Sequence, residues 1–571
     1  MKALTRFVPI LDWGLHYNPK DLPGDITAGI IVTSLLVPQS MAYALLANLP
    51  PQVGLYASIL PLILYAVLGT SRSLAVGPAA VDSLLVATGV GAVAAVGSPE
   101  YLSLAILLAF SVGVVQILLG VFRLGFLVNF ISQAVIVGFT SGAAFIIALS
   151  QFKHLLGLEI PSSSNFFELL FLLIRAIPNT HLMTFALSVG SIVILLVFKT
   201  IIPKVLKQRE MSPVAMTPIT KGGPLFVVIV STILVWQLGL DTKVNIVGEI
   251  PQGLPPLTLP SLNLGDIQRL FPVILTLTFV SFVEAFAVAK SLASQRRQKV
   301  DANQDLIALG TANLGSAFSG GYSVTGGFSR SVVNFTAGAN TQLAAIITAV
   351  LIFITVWFLT PLFYFLPQAS LAAIILVAVV NLIKIEPLQR LWRYNKADGV
   401  ALLVTFFAVL ITGVATGIVV GVIFSIILYL WRTSRPHIAI VGRVGESEHF
   451  RNIERHEVST CPHVLAIRVD ESLYFANTKA LEGYLTNAIL QYPQVKHLVL
   501  ICSGINFIDG SALETLEQLI QEMEQIGVTF YLAEVKGPVM DHLEKAKFPE
   551  RLGRDRIFLS TDQAMRTLEC V

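Results

Sequence analysis

Two short stretches interrupt an otherwise apolar body, each broken by glycine or proline and each holding an ionisable side chain. One runs from Ser73 to Asp82 through Gly77 and Pro78; the other runs from Ser323 to Arg330 through Gly326 and Gly327. In lipid every backbone polar group needs a partner within the protein, so a broken, charged segment at that depth must line a cavity or pack against protein. A matched pair in two halves of one chain is the pattern of a site built from discontinuous helices. That the body is membrane-embedded follows from composition. The chain is 54% hydrophobic and 13% charged, against roughly 25% charged in soluble domains. The small net charge of +3 gives no nucleic-acid signature.

Hydropathy predicts fourteen spans, near 24-46, 52-69, 76-93, 101-121, 124-149, 182-202, 223-239, 271-293, 303-319, 326-338, 342-360, 363-382, 398-412 and 414-431. With the amino terminus inside, the basic residues from Lys2 and Arg6 through Lys384 to Arg432 and Arg435 fall on the cytoplasmic side. The exceptions are Lys153, Arg175, Lys243 and Arg269 outside and Arg330 within the membrane. This asymmetry fits the positive-inside preference and places both termini in the cytoplasm. Fourteen spans divide seven and seven, which turns the second copy upside down. The broken segments are third in each half, so position predicts an inverted repeat. Met1 to Lys20 is polar, and the first apolar run lacks a cleavage pattern, so that run is expected to remain as the first span.

Charge becomes frequent after His437. Val464–Val469 and His497–Cys502 read as buried strands and 511-524 as an amphipathic helix, followed by a strand at 528-532 and a helix at 538-547. The chain thus divides into a transmembrane domain, 1-435, and a cytosolic α/β domain, 436-571. Its cysteines, Cys461, Cys502 and Cys570, lie only in that tail, which implies a reducing compartment without a disulfide framework.

Four runs carry a resemblance: Val37–Leu46 (VPQSMAYALL), Gly54–Ser58, Leu68–Arg72 and Val76–Pro78. With Gly320–Ser331 (GGYSVTGGFSRS), they resemble the signature of the sulfate permease (SulP) family, whose animal members include prestin and pendrin. The tail, with Gly504–Ser511 (GINFIDGS), resembles a STAS domain. The resemblance covers nearly the whole chain and implies a core-and-gate fold of the UraA-like type, a homodimer, and anion transport by an elevator-like movement.

Bottom-up chemistry stands beside it. An oxyanion entering the membrane must exchange hydration for protein hydrogen bonds. Helix N-termini can supply these. Pro78 suits the first turn of the third span, leaving the amides of Ala79 and Ala80 as donors, and Gly326 and Gly327 open the tenth span at Phe328 and Ser329. Alternatively, both breaks merely kink packed helices. Arg330, beside the pocket by resemblance, either supplies charge to the anion or neutralises an acid and holds its helix. The Ser329 hydroxyl is a donor or a packing group. Gln39 and Tyr43, at i and i+4, line the substrate or bond a neighbouring helix. Glu284, mid-span, can exchange a proton with each access state, since burial favours a carboxyl's neutral form. Family members coupled to protons are similar in carrying Glu here, and a sodium-coupled bicarbonate transporter differs in carrying Asp. The alternative is a permanent pair with Arg330. Asp82 departs from the family's usual apolar residue; it is a second titrating site or faces a watery crevice.

In the tail, Ser511 either caps its helix or accepts phosphate, as the equivalent serine does in stand-alone STAS proteins. No nucleotide-binding loop, metal-ligand cluster or nucleophile triad stands out, so neither an enzyme nor a cofactor is expected. Three readings follow. The first is proton-coupled import of an inorganic oxyanion, sulfate foremost, across a plasma or bacterial inner membrane. The second is transport of bicarbonate, with sodium as an alternative coupling ion, or of a C4-dicarboxylate. The third is an anion-binding sensor or motor, with the STAS domain engaging a cytosolic partner.

Overall fold

The computed structural model describes residues 7–160, 165–210, 213–253, 255–383 and 386–570; Lys2, Arg6 and Lys384 of the charge pattern lie outside them. Two compact units divide at Ser425/Ile426, inside the last membrane helix.

The first unit is helical. Its first half holds α1 (Leu22–Leu46), α2 (Pro51–Tyr56), α3 (Leu60–Leu68), the two-residue β1 (Val76–Gly77), α4 (Ala80–Gly91), α5 (Pro99–Val121), α6 (Gln133–Leu156), α7 (Leu182–Leu196) and α8 (Gly223–Gln237). The second half holds α9 (Leu264–Gln295), α10 (Ala302–Phe318), β2 (Thr325–Gly326), α11 (Phe328–Thr336), α12 (Leu343–Ile354), α13 (Gln368–Val379), α14 (Lys396–Thr412) and α15 (Val414–Thr433). With α2 and α3 forming one span, these are fourteen segments in a seven-plus-seven inverted repeat. Nine helical stretches among the described residues are long and apolar enough to cross a membrane alone. The broken third and tenth segments are too short to be among them.

Polar caps set several boundaries. Ser98 accepts from the Tyr101 amide at 3.1 Å and starts α5 with Pro99 in its first turn. Asp301 accepts from Asn303 and Gln304 and starts α10. Such side chains satisfy amides that a helix cannot bond internally. The fifth span corrects the hydropathy reading. Arg123 takes the left-handed conformation, φ 58°, and 124-130 is a 3-10 turn. The helix begins at Gln133, where Ser132 caps it.

Two groups of helices emerge. Within the core group α10 packs against α5 and α3, α12 against α1, and α9 against α5, α4 and β2. In the gate group α14 and α13 pack against α6, and α7 against α13 and α8. At one core crossing, a Cβ on Gly54 of α2 would stand 1.9 Å from the Ser40 carbonyl oxygen of α1. Only glycine permits that approach.

The second unit is a six-stranded sheet, ordered β4 (Phe450–Asn452), β3 (Ile438–Arg443), β5 (Val464–Val469), β6 (His497–Ile501), β7 (Thr529–Ala533), β8 (Ile557–Phe558). From β5 onward the pairing is parallel. Leu465, Ile467 and Val469 face one core with α16 (Thr478–Gln491), α17 (Gly510–Gln525) and α18 (Gly537–Lys545), while Val464 and Ala466 face the other with α19 (Thr561–Thr567). Side-chain alternation along a strand produces the two layers. Two expectations fail here. The cap of α17 is Asp509, whose Oδ1 accepts from the Ala512 amide at 2.8 Å, while Ser511 is exposed one position into the helix. A carboxylate two residues earlier occupies the capping position. Cys461 and Cys570 form a disulfide with Cα atoms 5.7 Å apart, and His463 lies beside them in a cluster of ligand type. The fold brings Cys570, three residues past α19, to the segment before β5, a pairing that a sequence separation of 109 conceals.

Candidate functional site

The broken segments meet. β1 and β2 pair antiparallel, Val76 opposite Gly326 and Gly77 opposite Thr325. Immediately after each strand a helix begins, α4 from one half and α11 from the other. Neither helix has a side-chain cap. The first backbone bonds into them run from Ser83 to the Ala79 carbonyl and from Ser331 to that of Gly327. The amides of Ala80, Val81 and Asp82, and those of Ser329 and Arg330, therefore find no acceptor among the described residues. Two uncapped N-termini joined by a short ladder make a focus of partial positive charge with free donors. Pro78 precedes the helix rather than standing in its first turn, because Ala79 is the boundary residue. The first donors of the helix itself on this side are thus Ala80 and Val81, with the Ala79 amide at the cap.

Arg330, 2% exposed, lies across the ladder. It donates from Nη1 to the Pro78 carbonyl at 2.5 Å and from Nη2 to that of Gly77 at 3.1 Å, while its Nε–H has no partner. Its charge thus compensates carbonyl dipoles of the opposite half. Gly327 makes room for it: a Cβ there would stand 2.7 Å from the guanidinium carbon. No salt bridge joins Arg330 to Glu284 or Asp82 among the described residues, so the permanent pair with Glu284 is not formed. The three are still close enough to feel one another's charge. Glu284 is half-buried on α9, with Oε2 unpartnered. One turn before it, the Ser281 carbonyl accepts from Thr325 Oγ1 of β2 at 2.7 Å. Asp82 is fully buried and neither oxygen has a partner.

Gln39 and Tyr43 are buried on α1, 5% and 8% exposed, and neither side chain has a hydrogen bond to a described residue. Pro38 withholds an amide from the turn before them. Ala79 and Ala80 are buried, whereas Phe328 and Ser329 are exposed. Ser511 belongs to the other unit.

Several supports were not anticipated. Ser331 Oγ accepts from the Ala75 amide at 2.9 Å, and Asn334 Nδ2 donates to the Ser73 carbonyl at 3.1 Å. Asn313 of α10 fixes the approach to β2, donating to the Val324 carbonyl and accepting from its amide. The Ser83 hydroxyl meets that of Tyr322 at 2.8 Å. The only sequence signal was the presence of polar side chains within apolar spans, which expects buried partners.

An inverted repeat whose two broken helices meet at one buried point defines the class: a membrane transporter. The chain belongs to the sulfate permease family, whose sequence profile matches residues 22–405, and a STAS-domain profile matches 455–564. It is 35% identical to high affinity sulfate transporter 2 of Stylosanthes hamata, over 99% of this chain and 87% of that one. It is 34% identical to sulfate transporter 1.3 of Arabidopsis thaliana, over 99% and 88%. In three dimensions it is similar to the murine Solute Carrier 26 family member A9 anion transporter in the inward-facing state, with TM-score 0.90 and 27% identity over 100% of this chain and 95% of that one.

Proposed function

We propose that this chain imports sulfate together with a proton. The observation that carries the reading is the pair of uncapped N-termini at α4 and α11, held together by β1–β2. Their free amides suit a tetrahedral oxyanion, with Gln39, Tyr43, Phe328 and Ser329 as further lining. The naming of relatives as sulfate transporters over nearly their whole length supports sulfate as the substrate. Arg330 acts through the ladder, fixing the two helix ends and adding positive charge without a direct salt bridge to an acid. Glu284, on the helix that packs against both broken segments, carries the coupling proton, and Asp82 is a second group able to titrate.

Every one of these residues lies in the core group. The core therefore carries anion and proton as one body past α6–α8, α13 and α14, an elevator movement. Both termini lie in the cytoplasm, and two copies form a dimer. In the STAS domain, exposed Ser511 is a phosphate acceptor whose added charge alters docking of a cytosolic partner.

Uptake of labelled sulfate into proteoliposomes under an inward proton gradient tests this. Accumulation accelerated by the gradient is expected, with Glu284→Gln abolishing the acceleration while sparing sulfate exchange. Bicarbonate uptake that sulfate does not inhibit, or saturable sulfate binding without flux, would overturn it.

A further inference from the structure

In the second unit Cys461, His463 and Cys570 bring two sulfurs and an imidazole nitrogen within 4.8 Å of one another. The group is not sealed in the core. Both cysteines are half-buried, His463 is exposed, and Cys461 also lines a cleft of about 590 Å³. The backbone fixes these residues in place. Arg443 of β3 and Ser459 exchange both backbone hydrogen bonds, at 2.9 and 2.8 Å, and the His463 carbonyl accepts from the amides of Lys496 and His497. The turn holding Cys461 is thus tied at both ends. Cys570 donates its amide to the Met565 carbonyl at 2.9 Å, and Met565 is buried in the layer against which both cysteines pack.

The two sulfurs are joined as a disulfide, a link that persists in oxidising surroundings. It needs no imidazole beside it. Once reduced, the same residues offer two thiolates and an imidazole, a donor set for zinc rather than for calcium or magnesium. Zinc holds sulfur at about 2.3 Å and nitrogen at about 2.0–2.1 Å, which sets tetrahedral ligands roughly 3.5 Å apart. The ligand atoms already lie within 4.8 Å of one another, so side-chain rotation is enough to reach that spacing while the backbone stays in place.

We propose that Cys461, His463 and Cys570 form a zinc site that opens on reduction of the disulfide. A dithiol reductant breaks the S–S bond: two electrons and two protons pass to the cysteine sulfurs, and the reductant leaves as a disulfide. Zinc then binds both sulfurs as thiolates, releasing the two thiol protons, and takes a nitrogen of neutral His463. Water completes the fourth position. Either link, through S–S or through zinc, fastens the segment after α19 to the segment before β5, so the tie survives reduction only when zinc is supplied. The cytoplasmic placement proposed above keeps the thiols reduced. The test sets the redox state directly, so its result is independent of that placement and of sulfate transport.

Full-length protein in detergent is reduced with dithiothreitol, freed of it without air, and titrated with zinc in competition with a chromophoric chelator. The reduced protein is expected to take up about one zinc per chain, and the disulfide form to bind it at least about tenfold more weakly. Cobalt in place of zinc should give thiolate-to-metal charge-transfer absorption in the reduced form only. His463→Ala and Cys570→Ser are each expected to weaken zinc binding by about tenfold or more, while Cys502→Ala, at the buried free thiol, leaves it unchanged. His463 and Cys570 lie outside helices and strands, and an unaltered thermal midpoint of the reduced, metal-free variants checks their folding. No zinc uptake by the reduced protein, or equal uptake by the disulfide form, overturns the proposal. So does cobalt binding without the thiolate absorption, or an affinity in both variants within about twofold of the parent.

Discussion

The two broken segments have the same place in their repeats and opposite chemistry. The first, 73-82, offers backbone: carbonyls at Ser73, Gly77 and Pro78, and an amide at Ala75. The second, with the helix it leads into, supplies the side chains that take them, from Arg330, Ser331 and Asn334. The first ends in an acid with no partner, Asp82; the second ends in an arginine with two. Duplication explains the shared backbone geometry, two strands each leading into an uncapped helix. Divergence then made one half the clamp and the other the clamped. The lesson is that a symmetric site can be held by asymmetric bonds, so the two halves should respond unequally to substitution.

Five substitutions at four positions would sharpen or break that contrast. Arg330→Ala removes two charge-assisted hydrogen bonds to buried carbonyls, roughly 1.5 kcal/mol each, and should reduce sulfate uptake about a hundredfold. Arg330→Lys should recover little, since one ammonium does not reproduce the fork. Next, Gly327→Ala forces a methyl group against the guanidinium and is expected to lower uptake about tenfold, as a misplaced clamp would. If it transports normally, the ladder geometry does not depend on Arg330. A smaller effect is expected from Asn334→Ala, which deletes one bond to the Ser73 carbonyl. A stability loss of about 1 kcal/mol, read as a lowered thermal midpoint, should come with a modest fall in uptake. The least disruption is expected on the clamped side. Asp82→Asn breaks no hydrogen bond, so exchange should stay within about threefold of the parent. A loss as large as that of Arg330→Ala would erase the asymmetry.

Much of the architecture was legible because hydropathy is local. Helices such as Pro99–Val121, Gly223–Gln237 and Val414–Thr433 start or end within a few residues of their hydropathic limits. Where apolar character and helical geometry part company, the reading slipped. Residues 124-130 are as oily as a span, yet they form a 3-10 turn after a left-handed Arg123. The glycine and proline breaks were visible for the same local reason: they limit the backbone wherever they fall. What holds the breaks together was not. Ser331, Asn334 and Gln342 bond backbone atoms 256, 261 and 271 residues away, and no spacing encodes such partners. The STAS unit repeats the point on a smaller scale. Its strands β5, β6 and β7 were readable from short apolar runs, whereas β3, β4 and β8 were not read; the use of Asp509 rather than Ser511 as the cap, and the joining of Cys461 to Cys570, depend on how the chain returns on itself.

Selenate, a heavier analogue of sulfate, offers the most direct test of the central claim that an anion is held between the two helix ends. A structure of the protein with selenate, located by selenium's anomalous signal, should show a peak within hydrogen-bonding reach of the Ala80 and Val81 amides on one side and the Ser329 amide on the other. A peak elsewhere in the membrane unit, with none between α4 and α11, would contradict the account.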